Sequence, residues 1–282
     1  MTKAINSAPT RSQIIIRVSK HSLSFSAPST DVADSLPQYE PYAVKNGISM
    51  AANLREAFKT SALLGVPFSK ALVMVAAPVL LVPVSCFDET MSEELYDHSF
   101  GGHDGQLVMC NLLSELNVVA LYAVSRDFCT VLADHYVEVR YCCAMQPVWS
   151  YLHQRSLIGK RNKLYGYFHD GSLDVCSFSQ NRFKFCNSFD ITSSSGSGGN
   201  AHDALYFLLC VWKQLGLKAE WDELHLMGDI PERDWLLDEL RQYLQRAYIV
   251  NPAGDFNRAP ITRIAGMPFD LVTAFVHRQR LR

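Results

Sequence analysis

Apolar residues recur at every second position, at Ile14, Ile16 and Val18 and then at Leu23 and Phe25, so that each set shares one face. A period of two predicts strands, and the polar step at Ser19-Lys20-His21 predicts a hairpin turn between them. Residues 28–38 are rich in Pro, Ser and Asp and predict a loop, followed by a third strand over 39–44. Asn46-Gly47 then leads into a helix over 48–64. Strands are expected at 71–76 and 79–86, and a helix at 87–96 with Asp88 or Ser92 as its N-cap. The runs 106–113 and 117–124 predict an antiparallel pair turning at Ser114-Glu115. Ser125 is placed to cap a helix reaching 136, a strand follows at 137–143, and Pro147 opens a helix to 157.

The second half reads the same way. Strands are expected at 163–169, 172–178, 181–189, 223–227 and 246–250; helices at 201–216, 231–244 and 269–280. The unit itself repeats. Leu164-Tyr165-Gly166-Tyr167-Phe168, the turn His169-Asp170-Gly171 and Ser172-Leu173-Asp174-Val175 answer the first hairpin, with Leu23 matching Leu173 and Phe25 matching Val175. Leu54, Phe58 and Leu64-Gly65-Val66 match Leu205, Leu209 and Leu215-Gly216-Leu217, and Leu72 to Ala76 match Leu224 to Gly228. The offset grows from 150 to 152 along the unit. The repeat predicts a duplicated α/β fold with mixed sheets: a tail over 1–12, a first domain over 13–160 and a second over 161–282, joined at Ile158-Gly159-Lys160-Arg161-Asn162.

Composition narrows the function classes. A formal net charge of −2 supplies no electrostatic footprint for nucleic acid or an anionic membrane. The cationic end 277–282 is expected to cap a final helix. Residues 1–12 are polar and carry no apolar core of a secretory signal. The most apolar run, 71–87, contains Pro78 and Pro83 and falls short of the ~20 residues that span a bilayer. A cytoplasmic chain without a transmembrane segment is expected, as monomer or homodimer. Its eight cysteines are scattered without a C-x-x-C, which predicts reduced thiols. His98 and His103 beside Asp104 are the nearest approach to a metal spacing, but Gly101-Gly102 and Gly105 make that stretch a turn, and no metal site is expected.

Phosphate-loop, nucleophile-elbow, zinc-protease and strand-linked dinucleotide motifs are absent from the sequence. His135 lies near Asp127 and Glu138 in sequence, a proximity to which no weight attaches among nine histidines. Two segments could meet an anion. Asp170-Gly171-Ser172 is a hairpin turn whose amides and carboxylate could face a phosphate and its metal, although Asp-Gly is also an ordinary turn dipeptide. The Ser/Gly run 193–199 precedes a helix start but lacks the glycine spacing and lysine of a phosphate loop, and is expected to be a mobile surface segment.

The repeated hairpin, third strand, helix, strand and helix resemble the actin-like ATPase superfamily, whose core is ribonuclease H-like. More closely, Ile14-Ile15-Ile16-Arg17-Val18, Leu23-Ser24-Phe25, Asp203 to Leu209 and Gly266-Met267-Pro268-Phe269-Asp270-Leu271 resemble an uncharacterised Bacteroidetes family, a domain of unknown function similar in organisation to the PilM and GspL assembly proteins. The resemblance covers nearly the whole chain. It implies two similar domains facing a cleft, with residues 19–22 and 169–172 on its two sides. It also implies an ATP site with magnesium, built from Lys20, His21 and Ser22, from Asp170, Gly171 and Ser172, and from Gly228 on the adenosine side.

The departures from that pattern shape the functional expectation. Superfamily members carry Asp-x-Gly-[Thr/Ser] in the first hairpin, where this chain has Ser19-Lys20-His21-Ser22, and a Gly-Gly pair on the adenosine side is reduced to Gly228. The sequence therefore points to a degenerate, non-catalytic scaffold or regulatory protein. The alternatives are a weak ATPase or small-molecule kinase using Asp170 with Lys20 as counter-charge, and a PilM-like module that holds a protein partner beside the segment 71–87.

Overall fold

A computed structural model describes residues 13–28, 36–179, 182–192, 199–256 and 259–276. The expected tail at 1–12, most of the loop at 28–38, the Ser/Gly run and the cationic end lie wholly or largely outside the described residues. The chain divides into two compact units: residues 1–113 with 117–144, and residues 114–116 with 145–282.

In the first unit, β1 (Ile14–Val18), β2 (Leu23–Ala27) and β3 (Gln38–Tyr42) precede α1 (Met50–Thr60) and β4 (Lys70–Val75). Next come β5 (Val79–Pro83), α2 (Ser92–Phe100), β6 (Gln106–Leu113), β7 (Val118–Ser125), α3 (Arg126–Ala133) and β8 (Glu138–Cys143). The main sheet runs β3-β2-β1-β4-β8. β1 and β4 are parallel and central, and such strands are covered on both faces, which is why Ile14, Ile16, Ala71 and Val73 are fully buried. A second sheet, β5-β7-β6, is antiparallel.

The second unit opens with α4 (Met145–Ser156), then β9 (Lys163–His169), β10 (Ser172–Ser179), β11 (Arg182–Asp190), α5 (Gly199–Gln214), β12 (Glu223–Gly228), α6 (Arg233–Tyr243) and β13 (Ala247–Ile249). It ends with α7 (Pro252–Asp255) and α8 (Phe269–Val276). Its sheet runs β11-β10-β9-β12-β13, the same order and the same mixture of directions as the first. One face packs a core of Leu164, Leu173, Val175, Leu208, Leu224 and Leu226 under α5 and α6.

The duplication is therefore structural, and the ladders refine its register. Val18 pairs with Leu23, and Phe168 with Leu173, so the hairpins match at an offset of 150. Val18 also pairs with Val75, and Phe168 with Gly228, which sets the offset of the following strand at 153 rather than 152. In α5 the fully buried positions are Ala201, Ala204 and Leu208, with Leu205 and Leu209 only partly covered. The counterparts of the buried Ala51 and Leu54 are thus Ala201 and Ala204, because helix rotation and not residue type decides the face.

Other differences from the sequence reading are local. The strand expected over 79–86 stops at Pro83, and 84–86 form a 3-10 turn. Asp88 caps a second such turn, accepting from the Thr90 amide at 2.9 Å, so the helix expected at 87 begins at Ser92 and ends at Gly101 in the left-handed region. α6 starts two residues beyond Pro231, after Glu232 at φ 39°. Ser125 caps α3 as expected, its Oγ accepting from the Phe128 amide.

Candidate functional site

The first turn is tightly self-satisfied. The Ser19 side chain folds back over the turn. Its Oγ accepts from the amides of His21 (3.2 Å) and Ser22 (2.9 Å) and lies 2.8 Å from the Ser22 Oγ. The buried Arg17 donates to that same Ser22 oxygen at 3.0 Å. Lys20 and His21 are exposed, and Ser22 is half-buried. The amides of a turn are what hold a phosphate; here two of them already point at the Ser19 hydroxyl.

The second turn is a two-residue loop closed by the pair His169–Ser172. Asp170 at φ 48° and Gly171 at φ 76° give both central residues positive φ, the mirror-image turn that suits a hairpin. Thr192 lies over Gly171 so closely that a Cβ there would stand 2.2 Å from the threonine methyl. Register equates His169 with Ser19 and Asp170 with Lys20, so the position two before the glycine is His169 and not an aspartate.

His169 organises the acids around it. Its Nε2 lies 2.5 Å from Asp174 Oδ2 and its Nδ1 lies 3.1 Å from Asp170 Oδ2. Its ring stacks on Tyr167 with centroids 4.6 Å apart. Burial opposes a charge on this ring, but the bonds to Asp170 and Asp174, with the charges of Asp174 and Asp270, outweigh it and push the imidazole up to about 10. At neutral pH both ring nitrogens donate, one to each carboxylate. Asp270 is buried and accepts from the Tyr167 hydroxyl at 3.3 Å.

Gly228 joins Asp170, Gly171 and Ser172 at one end of this sheet, as the ladder partner of Phe168. It has φ 88°, and a Cβ would stand 2.0 Å from the Phe168 carbonyl oxygen, which accepts from the Asp229 amide at 2.9 Å. The close approach of β9 and β12 explains the glycine by itself.

These residues do not fit a magnesium-bridged phosphate. Ser19 offers no carboxylate, the Asp170 carboxylate holds an imidazolium, and no group of three His, Cys, Asp or Glu suited to a metal occurs among the described residues. His103 pairs with Asp97 at 2.5 Å. His135 bonds the Val131 carbonyl and stacks on Phe58, which gives it a structural role.

His169 and Asp174 escape sequence reading as site residues. The available signal was Asp174 itself, an aspartate within a strand that otherwise carries Leu173, Val175, Cys176 and Phe178, where that residue is depleted. Tyr167 and Asp270 are 103 residues apart and are joined only by folding.

Comparison with known proteins agrees with this architecture. No curated protein matches the chain. A Bacteroides thetaiotaomicron protein with actin-like ATPase fold and unknown function is 28% identical, with a TM-score of 0.76 over 90% of this chain and 97% of that one. The PilM-PilN type IV pilus biogenesis complex gives a TM-score of 0.53 at 12% identity, over 88% of this chain and 90% of that one, a likeness of fold alone. No described helix is long and apolar enough to cross a membrane. A family model described as protein of unknown function (DUF3822) matches residues 3–246, and the chain, an α/β protein of actin-like ATPase fold, belongs to that family.

Proposed function

We propose that this protein is a non-catalytic, degenerate member of its fold, acting in the cytoplasm as a scaffold or regulator. One observation carries the reading: in both hairpin turns the groups that would meet a metal-bound phosphate are satisfied from within the turn. Ser19 Oγ takes the amides of His21 and Ser22, and His169 takes the carboxylate of Asp170. A phosphate arriving at either turn would have to replace bonds already made, so its net gain is small. Titration calorimetry of the full chain with Mg-ATP is expected to give no heat beyond dilution, and purified protein is expected to release no phosphate. Micromolar binding overturns the reading. Phosphate release that Asp170→Asn abolishes would establish the alternative of a weak ATPase or small-molecule kinase.

A second reading is a module that holds a protein partner. It is favoured by β5, an edge strand of the three-stranded sheet whose Val79, Leu80 and Leu81 are only half-buried. Edge strands accept an added strand through their open backbone groups. The expected outcome is a stoichiometric partner captured from native lysate by the wild-type chain and lost with Leu81→Lys. Capture that the variant leaves unchanged would move the partner away from this edge.

A further inference from the structure

Two cysteines meet in the second unit on adjacent strands. Cys176 of β10 and Cys186 of β11 are direct ladder partners, inside the regular stretch of pairing that runs from Ser172–Asp190 to Ser177–Phe185. Directly opposite residues of an antiparallel pair project from the same face of the sheet.

The register also fixes the kind of pair. A two-residue loop makes His169 and Ser172 a hydrogen-bonded pair. Backbone groups along β10 alternate between its neighbours, so those of Ser172, Asp174 and Cys176 point to β9, and those of Leu173, Val175 and Ser177 point to β11. The bond from the Ile191 amide to the Gly171 carbonyl, at 3.0 Å, shows the odd-numbered side facing β11. Cys176 and Cys186 are therefore a non-hydrogen-bonded pair, the closer of the two types, with Cα atoms about 4.5 Å apart and Cβ atoms near the short end of the ~4.5–5.5 Å range. A disulfide takes Cα separations of about 4.4–6.8 Å and Cβ separations of about 3.5–4.5 Å. A small approach of two side chains closes the bond.

Exposure sorts the roles. Cys176 is buried and Cys186 half-buried. Burial, and after it the charge of Asp174, pushes the Cys176 thiol up. Cys186 is the thiol an oxidant reaches first, and Cys176 is the one that resolves it.

We propose that Cys176 and Cys186 form a redox-sensitive pair that closes a cross-strand disulfide when a peroxide reaches Cys186. The Cys186 sulfur attacks the peroxide oxygen; the O–O bond breaks, the sulfur becomes a sulfenic acid and one water leaves. The Cys176 sulfur then attacks that sulfenic sulfur; the S–O bond breaks, the disulfide forms, and the Cys176 proton leaves with the hydroxide as a second water. Two thiols are oxidised and one peroxide is reduced. The bond ties edge strand β11 to β10. That strand ends at Asp190 and continues into Ile191 and Thr192, which cover Gly171 of the second turn. Oxidation thus fastens the strand that carries the cover of that turn.

The test uses the full-length chain treated with hydrogen peroxide, alkylated and digested with trypsin without reduction. Trypsin cuts after Arg182 and Lys184 and so separates the two cysteines, but it leaves Cys186 and Cys210 on one peptide. A Cys210→Ser background removes the ambiguity. The peptide ending at Arg182 is expected to be joined to the one beginning at Phe185, with the loss of two hydrogens, and to separate on reduction. Cys186→Ser in the same background is expected to abolish the link and leave the thermal midpoint within a few degrees. Peroxide treatment that gives sulfinic or sulfonic acid at Cys186, or links Cys186 to a different cysteine, overturns the proposal.

Discussion

His169 Nε2 lies 2.5 Å from the Asp174 carboxylate, and the same ring contacts Asp170 through Nδ1. The imidazolium is held between two acids at the second hairpin turn.

Stability should fall as pH rises. The His169 proton is held more tightly in the folded chain, up to about 10, than in the unfolded chain, near 6.5. Its contribution is complete below about 6.5 and is lost as pH climbs through about 10. The urea midpoint is expected to drop between pH 7 and pH 10, and His169→Gln should flatten that slope. An unchanged slope in the variant would remove His169 as its cause.

Gly228 and Gly216 separate a steric requirement from a conformational one. Both have positive φ, but a Cβ at Gly228 meets the Phe168 carbonyl oxygen, whereas one at Gly216 meets open space. Gly216→Ala should cost about 1 kcal/mol for the left-handed residue alone. Gly228→Ala should cost more than about 3 kcal/mol, since strain and a backbone clash add. Paired urea melts measure the difference.

Asn111 substitutes for a strand. Its Nδ2 donates to the Tyr141 carbonyl at 3.1 Å and its Oδ1 accepts from the Cys143 amide at 3.0 Å, bonding β6 to the edge of β8. Asn111→Ala should cost about 1–3 kcal/mol by leaving both groups unmatched. Asn111→Asp should cost at least as much, since a carboxylate then faces a carbonyl. Hydrogen exchange at the Cys143 amide should accelerate in either variant.

Ser19→Ala removes the acceptor of the His21 and Ser22 amides. The expected cost is about 1–2 kcal/mol, with faster exchange at those two amides and no gain of Mg-ATP binding in calorimetry. Nucleotide binding gained by the variant would mean that the Ser19 hydroxyl was what blocked an otherwise intact phosphate turn.

Much of this architecture was legible in the chain. Alternation at Ile14, Ile16 and Val18 and its echo at 164–168 are set by the period of a pleated strand, a local property. So was the repeat, since two copies of one sheet need the same order of apolar runs. The Asp170-Gly171 turn follows from the positive φ that its dipeptide tolerates.

Tertiary structure decided the rest. The offset of 153 in β12 comes from which backbone groups pair, and residue type does not report that. The burial of Ala204 in place of Leu205 comes from the rotation of α5 against its sheet. The chemistry of the second turn was hidden for the same reason. Asp170 reads as an available carboxylate along the chain, but pleating returns Asp174 to the His169 ring, and folding brings in Asp270 from about 100 positions away. A charge is set by its neighbours in space, and long-range neighbours exist only once the sheet has formed.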